Sequence, residues 1–317
     1  MSDSTNQPED RRWFLTGPTA AGKTSVALEL AGLLNAEIVS LDSMALYRGM
    51  DIGTAKPSAP ERAAVPHHLV NILEPSEEYS LAQYVAAANE AVDDILSRGR
   101  VPLFVGGTPL YLKALLRGIF EGPPADRELR DKLEAQAASE GPLVLHQRLA
   151  EIDPASAARL HPHDTRRIIR ALEVWEKTGQ SISALQQQFD VARPASACHV
   201  FVLHWPREEL VKRIDRRVDA MFADGLVDEV RGLLATGQPL GQTASQAVGY
   251  REVLEHLAGE RDLPATIELV KLRTRQFAKR QMTWFRSLSE CRHLHVEREA
   301  ELKGIAAQIA GSSTPGR

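Results

Sequence analysis

The sequence predicts an α/β fold: a parallel sheet core flanked by helices, with an all-helical insertion domain. Three observations carry that prediction. Short apolar runs alternate with amphipathic stretches through the first third of the chain. A Gly-rich turn, Gly17-Pro18-Thr19-Ala20-Ala21-Gly22-Lys23-Thr24, joins the first apolar run to the first helical stretch in the P-loop pattern. From Asp126 to about Thr178 the pattern is helical only, and a strand returns at Cys198–Trp205.

Taken in order, Trp13–Thr16 is a short apolar strand and Thr24–Leu34 a helix with one apolar face. Glu37–Leu41 is the second strand. Ser80–Arg98 is a long amphipathic helix with Ser80 as its N-cap. Val101–Val105 is a bounded apolar strand and Thr108–Leu116 a helix. Ligands of a parallel sheet bind beyond the carboxyl ends of its strands. Three loops leave such ends: Gly17–Thr24, Asp42–Tyr47 and Gly106–Thr108. A composition shift at Glu121-Gly122-Pro123-Pro124 opens the insertion, 123–197, between the core halves 1–122 and 198–317. Beyond it come helices over Pro206–Phe222, Val227–Leu234, Gly249–Leu257 and Pro264–Arg286, a final strand at His293–Val296, and a tail, Gly311–Arg317, expected to be disordered.

Composition excludes several classes. The chain has 317 residues, 43% of them apolar, so it builds a core without covalent staples. Two distant cysteines, Cys198 and Cys291, exclude a disulfide scaffold and a Cys₄ zinc site, and fit a reducing, cytoplasmic setting. Met1–Arg12 is polar without an apolar run, so no secretory signal is expected. The most apolar stretch, Val101–Leu116, is too short and too interrupted to span a bilayer. No long apolar stripe is left over for a partner copy, and a monomer is expected.

The chemistry concentrates at the Gly-rich loop. Gly22 lets successive backbone N–H groups turn toward one anion, and the helix that follows adds its positive N-terminal end. Lys23 neutralises phosphate charge, and the Thr24 hydroxyl is a ligand for Mg²⁺. The strand over Val101–Val105 ends in Gly106-Gly107-Thr108, where a hydrolase of this type carries a carboxylate. Transfer to an acceptor other than water is therefore expected. Asp42, at the tip of the second strand, reads either as a general base or magnesium–water partner, or as a turn aspartate. Thr108 reads as a donor to a phosphate or bridging oxygen, as a helix N-cap, or as both.

Net charge is −4, yet basic residues cluster. Lys271, Arg273, Arg275, Lys279, Arg280 and Arg286 lie in one stretch with no acidic residue between them. Smaller groups sit at Arg166, Arg167, Arg170 and at Lys212, Arg213, Arg216, Arg217. A solvated helix face is the plain reading of the long run. The missing acidic partners favour an anion-binding surface. Trp284 and Phe285 read as core residues in preference to base-stacking ones.

These segments together resemble tRNA dimethylallyltransferase. The resemblance rests on GPTAAGKT at 17–24, DSMALYRGMDIGTAKP at 42–57, VGGTPLYLKALL at 105–116, HPHDTRRIIRALEV at 161–174, AVGYRE at 247–252 and TRQFAKRQMTWFR at 274–286. It covers about Trp13 to Leu288 in order. It implies transfer of a dimethylallyl group from dimethylallyl diphosphate to the exocyclic amine of the adenosine 3′-adjacent to the anticodon of tRNA, with release of diphosphate. The loop 17–24 then holds the diphosphate, with Mg²⁺ as cofactor. Asp42 accepts the amine proton, Thr108 contacts the substrate near the bridging oxygen, and Arg217 binds diphosphate. The implied tRNA contacts are Asp42-Ser43-Met44-Ala45, Thr108, Arg130, Arg166-Arg167-Ile168-Ile169-Arg170, Gln246-Ala247-Val248-Gly249-Tyr250-Arg251 and Lys279-Arg280-Gln281-Met282-Thr283-Trp284-Phe285-Arg286. Ala21, Ala45 and Pro109 depart from frequent Ser, Gln and Gly. The residues alone also fit a P-loop small-molecule kinase, an adenylate prenyltransferase, or an RNA-binding module with a relic P-loop.

Overall fold

The computed structural model describes residues 11–120, 122–186, 192 and 194–312. Glu121 of the expected domain boundary and residues 313–317 of the expected tail lie outside them. In chain order the elements are β1 (Trp13–Thr16), α1 (Lys23–Leu34), β2 (Ala36–Ser40), α2 (Ala59–Ala64), β3 (His67–His68), α3 (Leu81–Ser97), β4 (Val101–Gly106) and α4 (Pro109–Arg117). There follow α5 (Arg127–Glu140), α6 (Pro142–Ile152), α7 (Pro154–Arg159), α8 (Thr165–Thr178) and α9 (Ile182–Leu185). The chain then returns to β5 (His199–His204), α10 (Arg207–Ala223), α11 (Leu226–Ala235), α12 (Gln242–Ser245), α13 (Tyr250–Leu257), α14 (Leu263–Arg286), β6 (Cys291–His295) and α15 (Leu302–Gly311).

The strands form one parallel sheet in the order β3-β2-β4-β1-β5-β6. Every side chain of β1 and β2 is buried, as a parallel strand covered on both faces requires. Local signals set several ends. Ser80 caps α3 by accepting the Gln83 amide, and Gln83 returns the bond in a capping box. Ser58 and Glu61 do the same for α2. Gly22 at φ 87° begins α1.

β2 does not lie beside β1; β4 runs between them, paired to both. The Asp42 loop and the Gly-rich loop therefore face each other across the end of β4.

Two compact units divide the chain: Met1–Lys113 with Ala192–Arg317, and Ala114–Val191. The helical unit thus begins within α4, ahead of the residue 123 expected from composition. Its core is apolar and its own, built from Leu133, Leu145, Leu149, Ile168, Ile169 and Leu172. In the first unit the core wraps α1 and the sheet. α15 was not anticipated by sequence reading. It buries Leu302, Ile305, Ala306 and Ile309 in that core, so Gly311 ends a helix and does not open a tail. No helix among the described residues is long and apolar enough to cross a membrane.

Candidate active site

Each of the three loops at the carboxyl edge of the sheet is held by side chains from elsewhere in the first unit. The Gly-rich loop is the most constrained. At Gly17, φ is 147°, and an added Cβ would lie 2.9 Å from the Leu203 carbonyl oxygen of β5. Ala20 adopts φ 63°, a strained value for a residue with a side chain. Its carbonyl accepts from Arg213 Nε at 2.8 Å, and the Ala21 carbonyl accepts from Trp205 Nε1 at 2.9 Å. The Arg213 guanidinium also stacks on the Trp205 ring at 4.3 Å. With the carbonyls tied outward, the amides that open α1 have no intrahelical acceptor and are left for a ligand. The Thr24 hydroxyl makes no hydrogen bond among the described residues.

Gln281 of α14 was expected at a tRNA surface, but it is 4% exposed and serves the loop instead. Its Oε1 accepts the Thr19 amide at 2.9 Å, and its Nε2 donates to the Gly107 carbonyl at 2.6 Å. The Thr19 amide is thereby taken out of the anion-binding set.

The end of β4 explains the missing carboxylate. A Cβ on Gly106 would fall 2.2 Å from the Leu41 carbonyl group, and one on Gly107 would fall 2.6 Å from Gln281 Nε2 and 3.2 Å from the Gly17 oxygen. No side chain fits either position. Because β4 ends without side chains, the β2 loop reaches across it. Thr108 then ties the two ends: its amide donates to the Leu41 carbonyl at 3.1 Å, and its Oγ1 accepts the Ser43 amide at 3.1 Å.

Asp42 is partly exposed at this edge. Its Oδ1 accepts the Met44 amide at 2.9 Å, which is the turn role; Oδ2 has no hydrogen-bond partner among the described residues. One oxygen fixes the loop and the other is available. The Asp42 charge acts on two cations. Burial first, and then the nearby Arg217 guanidinium, push the Lys23 ammonium down to about 8, with Asp42 opposing both. Burial likewise lowers Arg217, again opposed by Asp42. Lys23 donates to the carbonyls of Pro18 at 2.8 Å and Gly17 at 3.1 Å. Among the described residues Arg217 makes one hydrogen bond, Nη2 to the Thr54 carbonyl at 3.3 Å, and its buried Nε has no partner. Two desolvated cations thus share one carboxylate, an arrangement that lacks an anion.

The implied tRNA contacts sort by exposure. On α14, Lys279, Arg280, Thr283 and Arg286 are exposed and Trp284 is partly so, whereas Met282 and Phe285 are buried. Phe285 is a core residue, as its sequence reading favoured. The acidic partners missing from the run are supplied in part by α10: Lys271 pairs with Asp219 at 2.7 Å, and Arg275 grips Asp215 with two bonds. Lys279, Arg280 and Arg286 form no ion pair among the described residues. Gln246 and Arg251 are exposed; Ala247, Gly249 and Tyr250 are buried. Ala45 is buried as well, while Ser43 and Met44 remain partly exposed. Within the helical unit, Ile168 and Ile169 are core, leaving Arg166 and Arg167 on the surface. Arg130 and Arg170 both bind Glu173, which is wholly buried.

Residues 45–288 match the family model described as IPP transferase. The chain belongs to the IPP transferase family. Curated members resemble it closely. A tRNA dimethylallyltransferase of Rhodopirellula baltica is 50% identical, over 88% of this chain and 86% of its own. Another, from Pelotomaculum thermopropionicum, is 47% identical over 93% and 94%. Among solved IPP transferases, the full-length tRNA isopentenylpyrophosphate transferase of Bacillus halodurans covers 95% of this chain and 96% of its own, with a TM-score of 0.68 and 40% identity. A eukaryotic dimethylallyltransferase acting on tRNA gives a TM-score of 0.79 at 30% identity, covering 94% of this chain and 77% of its own. The family match runs from Ala45 to Leu288 and begins after the Gly-rich loop and Asp42. The supports that sequence reading missed, Trp205, Arg213 and the buried amide of Gln281, have no local motif; each is defined by a bond to a loop far away in the chain.

Proposed function

We propose that this IPP transferase moves a dimethylallyl group from dimethylallyl diphosphate to the exocyclic amine of the adenosine 3′-adjacent to the anticodon of tRNA. The observation that carries this reading is the pair of desolvated cations, Lys23 and Arg217, set against a single carboxylate, Asp42, beside free amides at the start of α1. The names of the relatives support the tRNA acceptor and the prenyl donor.

The diphosphate sits against the amides of Gly22–Thr24, Lys23 and Arg217. These groups stabilise the charge that grows on the leaving oxygen as its bond to the allylic carbon breaks. The adenine amine is a weak nucleophile, because its lone pair is delocalised into the ring. As its nitrogen bonds the allylic carbon, its proton passes to the free oxygen of Asp42. Thr108, held by Ser43, stands between the two centres at the end of β4. Mg²⁺, held by the Thr24 hydroxyl, would supply further neutralisation of the diphosphate. β4 itself ends in Gly106-Gly107-Thr108, without a carboxylate of its own to position water, in keeping with transfer over hydrolysis. The adenine leaves its stack to reach this edge, and the unpaired cations of α14 supply phosphate contacts. The reading takes the enzyme to work as a monomer in the cytoplasm, where its tRNA acceptor is found.

The test offers labelled dimethylallyl diphosphate and Mg²⁺ with unmodified tRNA, with AMP, or offers ATP with a hydroxyl acceptor. Label transferred to tRNA alone is expected. Transfer to AMP with tRNA inert, or phosphorylation from ATP, would overturn the reading.

A further inference from the structure

The segment after the Asp42 loop, Asp51–Lys56, is held by hydrogen bonds as well as by packing. Three of those bonds end on one carboxylate. Glu229 of α11 accepts the Asp51 amide at 2.9 Å and the Ile52 amide at 2.7 Å on Oε2, and the Gly53 amide at 3.2 Å on Oε1. The Tyr250 hydroxyl donates to the same Oε1 at 2.5 Å. Burial and this carboxylate push the Tyr250 phenol well above its ordinary range, so it stays a donor. A Cβ on Gly53 would lie 2.5 Å from the Tyr250 ring, so loop and ring are as close as backbone permits. A second hold comes from Lys56, whose ammonium donates at 2.6 Å to the Tyr47 carbonyl, Asp51 Oδ1 and Asn71 Oδ1.

The next residue in the chain makes the connection to the site. The Thr54 carbonyl is the sole hydrogen-bond acceptor for Arg217 among the described residues. Arg217 is a long side chain with a buried, unpartnered Nε, and its direction depends on that one carbonyl. The carbonyl is itself placed by the amide grip on Glu229 one residue away. We infer that Glu229 is a positioning residue for Arg217: it locks Asp51–Gly53 so that the Thr54 carbonyl aims the guanidinium at the anion. Glu229 touches no substrate, and its action passes through the loop. The inference rests on the reading of the site as a diphosphate site.

The experiment measures binding of inorganic diphosphate, in excess Mg²⁺, to the full chain and to Glu229→Gln, Arg217→Gln and the double variant. Each single change is expected to weaken binding about tenfold, and the double variant to be no weaker than the poorer single, because coupled residues do not act additively. Affinity for tRNA and melting temperature should stay near those of the parent. Losses that multiply in the double variant, parental diphosphate affinity in Glu229→Gln, or a loss matched by lost tRNA affinity would overturn the inference. Tyr250→Phe removes one of four donors to Glu229 and guards against a folding failure of Glu229→Gln. It should weaken diphosphate binding about threefold, and an unaltered affinity there would also count against the role. A parent protein that binds diphosphate in this Arg217-dependent way but prenylates no tRNA would sink the proposed function and leave the role of Glu229 standing.

Discussion

Two sets of partly buried cations in this chain use the same chemistry to opposite ends. In the helical unit, Arg130 and Arg170 bind Glu173, which also accepts the Asp126 amide at 2.7 Å. That carboxylate is fully exposed to donors and wholly hidden from water, and the cluster is complete. At the sheet edge, Lys23 and Arg217 share Asp42, whose Oδ1 is spent on the Met44 amide. There no hydrogen bond joins either cation to the carboxylate among the described residues, and an Arg217 donor is stranded. The difference teaches how to read a buried arginine. Where donors and acceptors balance, the cluster holds the fold; where donors are in excess, the deficit is shaped for a ligand.

The contrast can be broken at several points. The largest effect is expected from Asp42→Asn, which removes the base and leaves the turn acceptor in place. Turnover should fall about 10²–10⁴-fold with tRNA affinity retained. Near-parental single-turnover rates would remove Asp42 from the chemistry. Next comes Glu173→Ala, which should leave prenyl transfer chemistry alone but destabilise the helical unit. A loss of about 3 kcal/mol is expected, at the low end for a broken buried pair because both arginines keep some contact with water. Denaturant unfolding measures it, and an unchanged midpoint would mean that the cluster is not structural.

A smaller effect follows from the depressed Lys23. With its ammonium near 8, the free protein loses that charge as pH rises through this value. Affinity for dimethylallyl diphosphate without tRNA should therefore weaken between about pH 7 and about pH 9.5, by up to about tenfold per unit above the midpoint. Lys23→Arg should flatten the profile, and an equally steep profile in that variant would assign the titration elsewhere. The smallest effect separates the two parts of α14. Lys279→Ala should weaken tRNA binding severalfold, alike for all tRNA sequences, and reduce the salt slope by about 1. Arg275→Ala, which removes a cation already gripped by Asp215, should leave the slope unchanged. Equal slopes for both would erase the distinction between paired and unpaired cations.

Much of the site was legible in the chain because local chemistry wrote it. Gly22, Lys23 and Thr24 announce an anion loop by spacing, Ser80 and Gln83 announce a helix start, and the Gly106-Gly107 pair announces the absence of a carboxylate. Less legible was α14. Its run of positive charge looked unpaired because Asp215 and Asp219 lie on another helix, and its Gln281 looked like a surface residue because polarity alone does not reveal a buried amide bridge. Ile168, Ile169, Met282 and Phe285 fell in motif stretches whose surface residues are their neighbours; helical periodicity turns them inward.

By itself the sequence determined the alternation of strand and helix, the Gly-rich loop in the P-loop pattern, and the carboxylate at the second strand end. These depend on residues within a few positions of one another, where propensity and spacing act directly. Only the tertiary structure decided that β4 separates β1 from β2, that two glycines let Asp42 reach across it, and that Glu229, Trp205, Arg213 and Gln281 hold the loops in place. Those are pairings between residues scores of positions apart. Strand order and steric clearance are set by packing the whole core at once, and no local pattern encodes them.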